Sequence, residues 1–191
     1  VVFCFHASLA YIIGHMKIIS TKFKGLKIIH SNIYRDKRGF FKEDFKQSNF
    51  NKKFIFGCTS RSKKHVLRGL HIQTKNSQGK YISVLKGSIY DVVVDLRKKS
   101  KTFGKYYSVV LSDENGKSIS IPEGFAHGFI GLDKENIVYY FNTKYRSAKH
   151  EAGLIWNDKD LKIKWPIKKP HLSTKDKNNL TFKEFKRTFI K

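Results

Sequence analysis

The sequence predicts an all-β fold, an antiparallel sandwich or barrel, and three observations carry that prediction. Short runs rich in Val, Ile, Tyr and Phe recur along most of the chain. They are separated by roughly eight to twelve residues, the spacing of strands in an all-β domain. Turn formers stand between them, as at Asp36-Lys-Arg-Gly39, residues 74–79 and Gly87, and Pro122 falls where a strand ends. The chain has 191 residues, a hydrophobic fraction of 40% and an aromatic fraction of 14%. That suits one domain with a sizeable core and argues against global disorder.

Residues 1–15 read as a leader rather than as part of the fold. The stretch VVFCFHASLAYII is apolar but too short to span a bilayer. Gly14-His15 before Met16, the single methionine, has the form of a scar left by a cleaved tag. A signal peptide fits less well, since no basic start or leading Met precedes the apolar run. Residues 16–191 are then read as one domain, with no internal repeat or linker.

Residues 17–20 and 26–29 are the first strands. The turn at Asp36-Lys-Arg-Gly39 leads toward a short helical turn at residues 44–49. Residues 54–60 form the next strand, and residues 60–64, polar and basic, read as a turn. Val66-Leu-Arg-Gly-Leu-His-Ile-Gln73 then organises the chain, an apolar strand carrying one Arg and one His. Alternation sends Arg68, Leu70 and Ile72 to one face and Leu67, Gly69, His71 and Gln73 to the other. Gly69 leaves room for a close backbone approach. Strands follow at residues 80–85, 88–96, 106–111, 118–121, 127–132 and 137–142. Beyond Gly153 the chain reads as irregular wrapping past Trp156 and Trp165. Leu180, Phe182, Phe185 and Phe189 have the spacing of a C-terminal amphipathic helix.

The formal net charge of +24 first suggests nucleic acid or an anionic membrane. Its source argues otherwise. Lysines are scattered, as at Lys22, Lys52, Lys105, Lys144 and Lys183, arginine is sparse, and no basic run is interleaved with stacking aromatics. The pattern reads as a Lys-rich solvated surface without a nucleic-acid or membrane footprint, whose field suits small polyanions such as diphosphates. The two cysteines, Cys4 and Cys58, have no disulfide or metal spacing, which points to the reducing cytoplasm.

Arg68, His71, His127 and Tyr140 sit in strongly apolar strands, and Lys80 opens another. Each alone reads as a satisfied core residue, because buried polar groups must be paired. Together they are more informative, since a barrel interior gathers inward residues from many strands. A metal site would call for closely spaced His ligands with a nearby carboxylate. His71 and His127 each stand alone, so no metal is expected, and phosphate-loop, dinucleotide and nucleophile-elbow glycine patterns are absent. A His, a Tyr, a Lys and an Arg suit proton abstraction beside a carbonyl. His supplies a base near neutral pKa, Lys80 a cation at the enolate, Tyr a proton donor on the opposite face and Arg68 an anion clamp.

At these residues the chain resembles the dTDP-4-dehydrorhamnose 3,5-epimerases. The matching pieces run in family order. They are Arg38-Gly-Phe-Phe-Lys-Glu43, Val66-Leu-Arg-Gly-Leu-His-Ile-Gln73, Gln78-Gly-Lys80, Asp91-Val-Val-Val-Asp-Leu-Arg97, Ser100-Lys-Thr-Phe-Gly104, Leu111-Ser112 with Glu114-Asn115, Ile121-Pro-Glu-Gly-Phe-Ala-His-Gly-Phe129, Trp156-Asn-Asp158 and Leu172-Ser-Thr-Lys-Asp176.

The resemblance implies a cupin-type jelly-roll barrel with short peripheral helices and a C-terminal helix. It implies a homodimer with exchanged N-terminal strands, a nucleotide-diphosphate sugar substrate and no cofactor. It assigns the base to His71, oriented by Asp176, the enolate cation to Lys80 and the acid to Tyr140. His127 is the second family histidine. Arg38, Glu43 and Arg68 match positions at the nucleotide-diphosphate end. Two departures stand out: Phe56-Gly-Cys58 replaces a Gln-x-Asn pair used around the nucleotide, and Arg146 replaces a Tyr. They bear on the nucleotide more than on the reaction, and relatives include enzymes for GDP-linked 4-keto heptoses in capsule pathways and enzymes that invert only C3. The expectation is an epimerase of a dTDP- or GDP-linked 4-keto hexose or heptose at C3, C5 or both. The alternatives are a C3-only epimerase and a non-catalytic cupin that binds a nucleotide sugar.

Overall fold

Two antiparallel sheets face each other across an apolar core. The computed structural model describes residues 16–190, so the leader read at residues 1–15 lies outside the described residues. The strands are β1 (Lys17–Ser20), β2 (Lys27–His30), β3 (Ile33–Asp36), β4 (Gly39–Lys42), β5 (Phe56–Lys63), β6 (Leu67–Gln73), β7 (Lys80–Lys86), β8 (Ser88–Asp95), β9 (Tyr106–Ser112), β10 (Lys117–Ile121), β11 (Phe125–Gly131), β12 (Glu135–Asn142) and β13 (Glu151–Gly153). One sheet runs β1-β2-β10-β7-β12-β5, the other β13-β6-β11-β8-β9, and β3 with β4 forms a separate hairpin. This is the cupin-type jelly roll.

Between the sheets pack Ile82, Val84, Ile119 and Val138 from one side and Ile89, Val93, Leu111 and Phe129 from the other. The five-stranded sheet is covered on its outer face as well. There Leu70, Val92, Val94 and Ala126 meet Leu154, Leu161, Phe182 and Phe185. Burial on both faces explains why Asp91-Val-Val-Val-Asp95 does not alternate. The helix expected at the C terminus is α2 (Phe182–Phe189), shorter than its apolar spacing suggested, because Thr181 caps it reciprocally with Glu184. Leu180 stays outside it, bridged to Leu154. A four-residue helix, α1 (Thr174–Lys177), precedes it.

Two local expectations are corrected. Residues 60–64 are mostly strand, since β5 pairs with β12 as far as Lys63↔Glu135. Their polarity reflects partners: Ser60 and Ser62 face inward to polar side chains, while Arg61 and Lys63 face solvent. The turn comes at His65, whose φ is 63°. The helical turn at 44–49 contracts to a 3-10 turn at Gln47–Asn49. Beyond Gly153 the chain is irregular as far as α1, as expected, and β13, which ends at Gly153 and which the sequence did not suggest, pairs with β6.

The Asp-Leu-Arg segment that ends β8 is a structural knot. Asp95 is fully buried and accepts hydrogen bonds from Arg97, Ser100 and Thr102. Burial raises its carboxyl, but these donors outweigh it and hold the pKa at about 2.

Candidate active site

The site begins with an interruption in β6. Alternation would put Arg68 and His71 on opposite faces, and this expectation is wrong. Across β11, His127 is paired with His71 but Phe129 with Arg68, and the register shifts between them. Three residue steps on β6 therefore oppose two on β11, and both side chains turn inward. Gly69 permits the shift: its φ is 124°, and a Cβ there would lie 2.5 Å from Gly128 Cα. Leu70 and Ile72 remain on the outer face as expected.

His71 is held from behind. Its Nε2 lies 2.6 Å from Asp176 Oδ1, and its side chain is 37% exposed, within reach of a ligand. The tail is fastened to β6 by the Leu67 N–H, which donates to His171 O, so that α1 delivers Asp176 to the ring. Ser173 caps α1 by accepting from the Asp176 N–H. Burial raises the Asp176 carboxyl, but the His71 hydrogen bond and charge, with Ser173 and the Gly69 amide, hold it below the ordinary carboxylate range. With Nε2–H donated to Asp176, Nδ1 of His71 keeps its lone pair and can act as a base.

The facing sheet supplies the other groups. Tyr140 pairs with Ile82 and Cys58 and turns inward with Val138 and Asn142. Tyr139 turns outward, its ring 6.0 Å from that of Phe141. Burial pushes the Tyr140 hydroxyl above the usual phenol range, and a hydrogen bond with Ser60 at 2.9 Å pulls the other way. Lys80 stands opposite Asn142 on the same inner face. Burial lowers its ammonium pKa, opposed first by Asp91 and then by Cys58 and Glu151.

His127 lies deeper than His71, its cross-strand partner. It is 4% exposed, its Nε2 is 2.7 Å from Asp91 Oδ2, and its ring stands edge-on to Tyr140 at 6.3 Å. Asp91 is fully buried, and its Oδ1 has no hydrogen-bond partner among the described residues. Arg68 lies nearer solvent, donating from Nε to Ser62 Oγ at 2.9 Å and from Nη2 to Arg61 O.

The remaining sequence candidates are elsewhere. Arg38 is exposed on the β3–β4 hairpin and paired with Asp36. Glu43 follows that hairpin, its main-chain oxygen accepting from Ser31. Among the described residues neither shares a hydrogen bond or ion pair with His71, Lys80, Tyr140 or Arg68. Arg146 pairs with Glu151, which Lys175 also contacts, and together they hold the Glu151 carboxyl at about 2, with Arg146 the main cause. Sequence reasoning gave no role to Asp91 or Ser60. A lone Asp between Tyr90 and Val92 in an apolar strand was a usable signal, because a buried carboxylate demands a partner. Ser60 had none, standing in a segment that read as a turn. Among the described residues no three His, Cys, Asp or Glu side chains are grouped to hold a metal.

Residues 20–184 match the sequence profile of the dTDP-4-dehydrorhamnose 3,5-epimerase family. The dTDP-4-dehydrorhamnose 3,5-epimerase of Methanothermobacter thermautotrophicus is 41% identical over 173 residues, covering 86% of this chain and 94% of that protein. Among solved structures, the dTDP-6-deoxy-D-glucose-3,5-epimerase RmlC of Legionella pneumophila, in complex with dTDP-4-keto-L-rhamnose, superposes with a TM-score of 0.83 at 42% identity. It covers 86% of this chain and 92% of its own. A double mutant of ChmJ, a 3'-monoepimerase from Streptomyces bikiniensis in complex with dTDP, superposes with a TM-score of 0.82 at 26% identity, covering 88% of each chain.

Proposed function

Since the chain belongs to the dTDP-4-dehydrorhamnose 3,5-epimerase family, we propose that it inverts C3, C5 or both in a dTDP- or GDP-linked 4-keto sugar, without a cofactor. One observation carries the reading: His71 and Tyr140 project inward from two opposed sheets. A sugar ring between them offers one face to a base and the other to an acid.

His71 Nδ1 takes the proton from the carbon beside the ketone. The C–H electron pair becomes the C=C bond of an enolate, and the Lys80 ammonium stabilises the oxyanion by donating to it. Tyr140 then gives its proton to the opposite face of the same carbon, and the ketone re-forms inverted. The proton on His71 passes to solvent, and Tyr140 recovers one from solvent. Deuterium from solvent therefore enters each inverted position.

Arg68 binds the diphosphate end. Arg38 and Glu43 match diphosphate-end positions yet stand apart from the cluster within one chain. A second copy lending its N-terminal strands would complete the site, which is the proposed homodimer. His127 supports the cavity floor. Phe56, Cys58 and Arg146, at positions of nucleotide contact in relatives, bear on which base is accepted. Residues 16–191 act as one domain in the cytoplasm. Among the described residues no helix is long and apolar enough to cross a membrane.

The test is a panel of dTDP- and GDP-linked 4-keto hexoses and heptoses in deuterated water, followed by NMR. Deuterium beside the ketone with inverted configuration is expected for at least one member. No incorporation with any would overturn the enzymatic reading in favour of a binding protein. The likeness to a 3'-monoepimerase favours a second reading, inversion at C3 alone, which the labelled position resolves.

A further inference from the structure

We infer that Ser60 is a positioning residue for the reaction's acid: it donates a hydrogen bond to the Tyr140 oxygen, aims the phenolic proton into the cavity and stabilises the phenolate left behind. The inference rests on the reading of Tyr140 as the acid.

Ser60 Oγ and Tyr140 Oη are 2.9 Å apart, and either could donate. Among the described residues this is the one hydrogen bond of the Tyr140 hydroxyl. A phenol has a single proton, so the direction matters. If Tyr140 donates, its proton points at the strand wall and is withheld from substrate. If Ser60 donates, the phenolic proton is free for the cavity, and a donor is already in place when the oxygen becomes an anion. The second arrangement fits a group that must ionise where burial disfavours ionisation, and hydrogen bonds to charged acceptors are the stronger kind.

Register makes Ser60 suited to this task. Val138 is paired with Ser60 and Tyr140 with Cys58, so Ser60 is the diagonal neighbour of Tyr140 on the inner face. Cys58, directly opposite, makes no hydrogen bond with the phenol among the described residues. Two residues along β5, Ser62 accepts from Arg68 Nε by the same inward geometry.

The test compares Ser60→Ala, Ser60→Thr and Tyr140→Phe, using the panel sugar that the wild type turns over fastest in deuterated water. Inversion and deuterium exchange with retained configuration are followed separately. Ser60→Ala is expected to lower the inversion rate by about ten- to a hundredfold, the scale of one hydrogen bond to a charged group. Retained-configuration exchange at His71 should persist, with KM changed less than kcat. Ser60→Thr keeps the hydroxyl and should restore inversion. If Ser60→Ala reduces inversion and exchange in equal proportion, or if Ser60→Thr is no better than Ser60→Ala, the residue is only structural and the inference falls. If Tyr140→Phe abolishes inversion while Ser60→Ala leaves it intact, the inference falls and the acid assignment stands. If Tyr140→Phe inverts normally, the acid assignment falls and takes the inference with it.

Discussion

Arg68 and His71 share the inner face of β6 although three residue steps separate them. Gly69 makes this possible, in a backbone conformation that L side chains rarely adopt and packed against Gly128. The Gly69→Ala variant would bring a methyl carbon within 2.5 Å of Gly128 Cα and 2.8 Å of His127 O, neither of which can yield as a flexible side chain would. It should lose about 3–5 kcal/mol of stability, the range of strained and overpacked sites. Calorimetry should show a melting temperature lower by roughly 10 °C. A melting temperature within 2 °C of wild type, taking about that much as negligible for this chain length, would refute the constraint.

His71→Asn should abolish exchange at both carbons, because its neighbour His127 is buried and tied to Asp91, which leaves His71 as the accessible imidazole of that face among the described residues. Asp176→Asn should lose less, about ten- to a hundredfold, since the imidazole remains but its tautomer and orientation are no longer fixed. Single-turnover NMR measures both. The Asp176 carboxyl is held below its ordinary range when folded, so its contribution to stability is present above that range and disappears as pH falls through the folded value. The stability gap between wild type and Asp176→Asn should therefore close in acid, which thermal melts across pH would reveal.

Tyr140→Phe keeps the ring and its packing against Phe129 and His127. Inverted product should fall by about two to four orders of magnitude, the scale for losing one positioned acid. Exchange with retained configuration should survive. Tyr139→Phe should change little, because that ring points outward toward Phe141. The assignment fails if the Tyr139 variant loses epimerisation and the Tyr140 variant keeps it.

Asp91 is the foremost charge opposing the burial of Lys80. Asp91→Asn removes it, so the ammonium gives up its proton more readily. The alkaline limb of kcat/KM should move to lower pH, and an unmoved limb would mean that Lys80 does not need its charge for turnover.

The strands that hold the site were legible where burial forced a pattern. In Ile137–Asn142 alternation puts Tyr139 and Tyr140 on opposite faces, the resemblance singles out Tyr140, and β12 keeps the alternation. The same reasoning failed in β6, because a register shift between strands leaves no periodic trace and Gly69 signals only that something comes close. Edge position was equally invisible. Ser60 to Lys63 have the composition of a turn, yet they continue the ladder with β12, and Ser60 and Ser62 turn inward to Tyr140 and Arg68. The Asp176 assignment came from resemblance, since a sequence separation of 105 from His71 gives no sign of their contact.

The place of β5 at the end of its sheet has a dynamic consequence. It is fastened along one side, to β12, whereas β12 is flanked by both β5 and β7. Opening such a border breaks one ladder instead of two, so its amides should exchange hydrogen ahead of those in β7 and β12. Ser60 and Ser62 ride on this border together. When it swings out, Tyr140 and Arg68 lose their hydroxyl partners in the same event. On the roles proposed for Tyr140 and Arg68, proton delivery and anion grip would thus be armed and disarmed in step, by the fraying of a single strand.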